Sequence, residues 1–160
     1  MLTPFDSTLD LTIARVIRGP RAAVWKAWTD PESFAQWWVP APTLCKVIEM
    51  DVTPGGSLVT QMSDDGIGYV DHLQGCYLAV DPLRRIVLTN SLVGGWRPAE
   101  NPFMTAVITL TDHPDGTEYI ARVMHKSQAD RDMHEDMGFY DGWGTVADQL
   151  THLVESESID

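Results

Sequence analysis

The sequence predicts an α+β fold: an antiparallel sheet of about six to seven strands, two short helices after the first strand, and a long C-terminal helix. Three observations carry this. Short alternating runs follow one another from residue 46 to residue 126, separated by turn formers such as Pro54-Gly55-Gly56 and Asp81-Pro82. Phe139, Trp143, Ala147, Leu150 and Val154 recur at spacings of three and four, the period of a helix with one apolar face. Between Gly19-Pro20 and Trp37-Trp38 the pattern is helical and rich in aromatics.

Leu9 to Arg18 reads as the first strand, with residues 9, 11 and 13 apolar and a shift of alternation near Arg15-Val16 that would suit a bulge. Pro20 suits the first turn of a helix, where a missing N–H costs nothing, and Val24, Trp25 and Trp28 share a face of it. Thr29 or Asp30 can cap a second short helix that starts at Pro31 and turns Phe34, Trp37 and Trp38 inward. Strands follow over 46–52, with Ile48, Met50 and Val52 on one face, and over 57–63, 69–80 and 85–92. After a Gly94-Gly95-Trp96 loop, strand 103–111 puts Met104, Ala106, Ile108 and Leu110 on one face, and a turn over 112–116 leads into strand 117–126. The last helix is expected to open at Met137, with Asp130, Asp132, Glu135 and Asp136 at or before its positive end and Asp148 and Gln149 facing away. Gly138, Gly142 and Gly144 would each cost that helix about 1 kcal/mol against alanine, so close approach to the sheet or a cavity must account for them. The tail from Glu155 to Asp160 is expected to fray.

At 160 residues and 44% hydrophobic, the chain suits one domain spanning 1–160, with its core over about 9–155. A net charge of −12 repels phosphate backbones and anionic membrane surfaces, which argues against nucleic-acid partners. No window reaches the roughly 18 apolar residues of a membrane span, and Met1 to Asp10 lacks the basic start and apolar core of a secretory signal. Cys45 and Cys76 show no metal spacing and read as free thiols of a cytoplasmic protein.

Pro20, Val24-Trp25, Ala27, Thr29-Asp30-Pro31-Glu32, Trp37-Trp38, Pro54-Gly55-Gly56, Gly75, Thr117 and Gly142-Trp143, in that order, resemble the START and polyketide-cyclase (SRPBCC) superfamily. Within it they are most similar to the single-domain members of the family named for activators of the heat-shock-protein ATPase. The resemblance implies the helix-grip fold, a curved sheet wrapped around the C-terminal helix with a cavity between them. In relatives such cavities hold lipids or other apolar molecules, and a few host catalysis. The extra N-terminal domain of the eukaryotic activators has no counterpart in this sequence, so the resemblance does not carry the chaperone partner with it.

Six tryptophans and seven methionines suit an adaptable apolar lining. The candidate cavity residues are Trp28, Phe34, Trp37, Trp38, Met62, His72, Trp96, Met104, Met124, His125, Met137, Tyr140 and Trp143, although core packing is the ordinary role of each aromatic among them. His72 beside Asp71, or His125 with His134, would supply an acid and a base if turned inward. Arg15 and Arg122 would bind a ligand carboxylate or pair with an Asp or Glu. No nucleophile elbow, phosphate loop or metal spacing is present, so no cofactor, metal or catalytic residue is assigned. The sequence therefore favours a protein that binds a small apolar or aromatic molecule. A cyclase- or hydrolase-like enzyme using cavity His and Asp, and a co-chaperone or stress-related interaction module, are the alternatives, and a homodimer is compatible with each.

Overall fold

The computed structural model describes residues 2–157, so the last three residues of the expected frayed tail lie outside the described residues. The strands are β1 (Asp10–Ile17), β2 (Leu44–Met50), β3 (Ser57–Ser63), β4 (Val70–Asp81), β5 (Arg85–Thr89), β6 (Leu92–Val93), β7 (Arg97–Pro98), β8 (Thr105–His113) and β9 (Gly116–Met124). The helices are α1 (Arg21–Thr29), α2 (Pro31–Ala35), α3 (Gln128–Asp136) and α4 (Phe139–Glu157). Seven strands form one antiparallel sheet in the order β1-β9-β8-β5-β4-β3-β2, while β6 and β7 pair separately beside it. Six of the seven follow one another in sequence order, with β6 and β7 carried by the link between β5 and β8, and only the passage from β1 at one edge to β2 at the other needs the α1–α2 crossover. The sheet is not closed, and α4 packs on its inner face, as a helix grip requires.

Local chemistry places the crossover. Asp30 caps α2: its carboxylate accepts from the Ser33 N–H at 3.0 Å and the Ser33 hydroxyl at 2.8 Å, and these bonds hold its pKa below the usual carboxylate range. Trp28, Phe34, Trp37 and Trp38 then meet in one cluster, with ring centroids 4.8 to 5.7 Å apart. Trp37 Nε1 donates to the Ala27 carbonyl at 2.9 Å, tying the end of α2 to α1.

Four local expectations are corrected. β1 pairs with β9 without a register shift, so there is no bulge at Arg15-Val16. Arg15 instead takes the same face as Leu11, Ile13 and Ile17 and pairs with Asp148 of α4 at 2.8 Å. Register shifts occur elsewhere: in β2 between Val47 and Glu49, which leaves Ile48 exposed, in the β3–β4 pairing between Thr60 and Gln61, and in the β4–β5 pairing between Tyr77 and Ala79. Residues 128–136 form a separate helix: Ser127 accepts from the Asp130 N–H at 3.2 Å, and Gly138, at φ +96°, breaks the chain between α3 and α4. Gln149 does not face away. Its Nε2 donates to the carbonyls of Trp37 and Val39 at 3.0 and 2.9 Å, and its Oε1 accepts from the Ala41 N–H at 2.7 Å.

Two substitutions test these constraints. Gly116 has φ +143° and passes so close to β1 that a Cβ would lie 2.2 Å from the Ile17 carbonyl oxygen. Gly116→Ala should therefore destabilise by on the order of 2–3 kcal/mol, read as a lower urea midpoint; an unchanged midpoint would contradict the packing. Gln149→Leu strands three backbone groups of the 37–41 segment and should cost about 1–3 kcal/mol, with amide exchange in that segment accelerating most.

Candidate functional site

The C-terminal part of α4 fills the grip. Ala147, Leu150 and Val154 are fully buried against the sheet, and a Cβ on Gly144 would lie 3.2 Å from the Arg15 guanidinium, so no larger residue fits there without displacing it. Toward its N-terminus, the helix leaves space. A cleft of about 360 Å³ opens beside Phe139, Gly142, Trp143 and Val146 of α4. It is closed by Trp38 and Pro40 from the crossover, His72 and Leu73 from β4, Asn90 after β5, Phe103-Met104 before β8, and His134, Met137 and Gly138 at the α3–α4 junction. Nothing lies within 4 Å of the Cβ position of Gly142, so its missing side chain leaves open space on the cleft wall. No Lys, Arg, Asp or Glu lines the cleft.

Of the candidate residues, Trp38, His72, Met104, Met137 and Trp143 line this cleft. Trp28, Phe34 and Trp37 do not. They are 1% exposed or less, in the cluster behind Trp38. Met124 and His125 line an adjoining depression that shares Phe103 and Met104 with the cleft. Met62 lies beside a surface hollow near Ser63 and Asp64. Trp96, half-exposed, packs against Gly55, where a Cβ would meet its indole at 2.6 Å. Tyr140 is half-exposed and outside the cleft lining. Sequence reasoning missed Asn90 and Phe103, which no local pattern distinguishes from other residues at strand ends.

The polar groups form two arrangements. His72 Nδ1 lies 3.1 Å from the buried Thr60 hydroxyl, and burial lowers its pKa, although its ring stays open to water on the cleft wall. Asp71 does not join it and accepts instead from Gln61 at 3.3 Å. His125 and His134 do meet. His125 Nε2 lies 2.9 Å from His134 Nδ1, and His125 Nδ1 lies 2.8 Å from the Leu9 carbonyl. Phe103 and Phe139 flank the His134 ring at centroid distances of 4.9 and 5.1 Å. Among the described residues no third His, Cys, Asp or Glu completes a metal site here. Neither arginine reaches the cleft, since Arg15 holds Asp148 and Arg122 holds the buried Asp10 at 2.7 Å.

Burial, aided by the neighbouring His125, pushes the His134 pKa from 6.5 down to about 4. The unfolded chain thus takes up this proton at higher pH than the folded one. Stability is full above pH 6.5 and declines as pH falls through 6.5 toward 4, with His72 acting in the same sense. Because His134 is only half-buried, solvent screening makes the decline shallower than the shift alone implies. His134→Gln should flatten the plot of unfolding midpoint against pH in that window; a slope as steep as that of the unmodified protein would contradict the assignment.

The sequence matches the family model described as Activator of Hsp90 ATPase homolog 1-like protein over residues 18–155. A crystal structure of a protein from Nitrosomonas europaea is 38% identical, with 98% of this chain and 100% of that chain covered at a TM-score of 0.87. A second, from Chromobacterium violaceum, is 27% identical, covering 91% and 97% at a TM-score of 0.73. An AHSA1-like protein from Aeromonas hydrophila, at 18% identity, covers 95% and 96% with a TM-score of 0.69 and shows the shared fold. No curated protein matches the sequence. With the family match spanning most of the chain and the fold shared with these structures, the chain belongs to the Activator of Hsp90 ATPase homolog 1-like family.

Proposed function

We propose that this protein binds a small, apolar, ring-bearing molecule in the cleft at the N-terminal end of α4. The observation that carries the reading is Gly142. A glycine inside a helix costs about 1 kcal/mol against alanine, and here no neighbouring atom forbids a side chain. The space it leaves is part of a cleft bounded by Trp38, Phe103, Phe139 and Trp143. Its volume of about 360 Å³ falls within the range of small-molecule sites and suits two or three fused rings. No helix among the described residues is long and apolar enough to cross a membrane, and burial pushes the Cys45 thiol up to about 11. The raised Cys45 thiol fits a carrier or sensor of such a molecule rather than a thiol nucleophile at that position.

The glycine makes stability and binding separable. Gly142→Leu should raise the thermal midpoint by a few degrees, because a good helix former replaces a poor one on the cleft wall. The same change should abolish binding of the uncharged fluorophore N-phenyl-1-naphthylamine, which the unmodified protein should bind saturably with increased emission. Absence of saturable binding to the unmodified protein, or undiminished binding to the folded variant, would overturn the reading.

A further inference from the structure

An entirely apolar cleft selects by shape alone, but this one carries a fixed hydrogen-bond acceptor. The tautomers follow from one backbone carbonyl. The Leu9 oxygen can only accept, and it receives both the His125 N–H at 3.0 Å and His125 Nδ1 at 2.8 Å. His125 Nδ1 therefore carries the proton, and in the neutral ring Nε2 holds a lone pair. His134 Nδ1, 2.9 Å away, must donate to that lone pair. This leaves His134 Nε2 as an acceptor with no protein partner among the described residues, on a ring that lines the cleft. Phe103 and Phe139 hold the ring in place, so the acceptor is preorganised.

The cleft also holds a donor without a partner among the described residues. The Asn90 side-chain oxygen accepts the N–H groups of Phe103 and Met104 at 3.0 and 2.8 Å. That fixes the amide orientation and leaves its NH2 group available on the wall of the cleft. A ligand carboxylate or phosphate would find no cation in the lining, within a protein of net charge −12.

We propose that the ligand is an uncharged ring compound bearing a hydroxyl group, phenolic or alcoholic, whose O–H is received by His134 Nε2, with His125 as the positioning residue that sets its tautomer. The inference rests on the ligand-binding reading above and narrows it to one chemical class. An apolar analogue covers this acceptor without offering it a donor, which is how a polar group on a site wall disfavours a ligand lacking its partner.

Calorimetric titration of the full chain at neutral pH with naphthalene, 2-naphthol, 2-methoxynaphthalene and 2-naphthoate tests this. The methoxy compound keeps the oxygen and removes the donor. The expected result is 2-naphthol binding about tenfold tighter than 2-methoxynaphthalene, with 2-naphthoate weakest. His134→Phe, checked for folding by its circular dichroism melt, should bring the two neutral affinities within about threefold by weakening 2-naphthol alone; His134→Gln, which offers an acceptor again, should restore part of the preference. Equal affinity of the three neutral probes for the unmodified protein would overturn the hydroxyl inference and leave the binding reading intact, with no variant needed. A preference that persists in folded His134→Phe would overturn the assignment to His134. No binding of any probe would overturn both readings.

Discussion

The structure depends on how deeply α4 can sink into the sheet. A helix laid on a curved sheet makes full contact only where its own side chains are small or interlock with those beneath. Gly144 and Ala147 allow that contact, and Leu150 and Val154 extend it toward the C-terminus. The Arg15–Asp148 pair and the Gln149 clamp then fix the helix from both flanks, one to β1 and the other to the 37–41 segment. Packed this tightly at one end, the helix leaves the sheet's remaining curvature unfilled at the other, and the cleft occupies that gap.

The crossover is the second wall of the same construction. The short caps and turns of α1 and α2 bring four aromatic rings into edge-to-face and stacked contact, where burial and ring geometry reinforce each other. Three of them form a solid block, and only the fourth, Trp38, turns its surface to the cleft. An aromatic-rich sequence segment thus serves the core first and the site second. The cleft inherits a rigid wall that adaptable methionine side chains at 104 and 137 complete.

The order of strands and helices was legible because it rests on local periodicity and turn chemistry. Two-residue alternation and punctuation by Gly, Pro and Asp place most strands to within a few residues. α3 was missed because its face is too polar to show apolar periodicity, though Ser127 three residues before Asp130 is a capping signature that marks its start. The bulge was misplaced because a register shift depends on the partner strand: β1 has an uninterrupted partner in β9, whereas β2 does not in β3.

By itself the sequence determined the class of fold, a cap at Thr29 or Asp30, the inward stripe of α4 and the lack of any local catalytic signature, since each is set by residues within a turn or two of one another. Tertiary structure alone decided which aromatics face open space, that Gly142 borders a void while Gly144 borders Arg15, and that His125 and His134 share a hydrogen bond anchored on Leu9. The physical reason is distance along the chain. The cleft gathers residues from 38 to 146, and neither the space between them nor the direction of a proton in a histidine pair is encoded in any one segment. Both arise only when the helix stops short of the sheet and one backbone carbonyl, far away in sequence, sets the tautomer of the first ring.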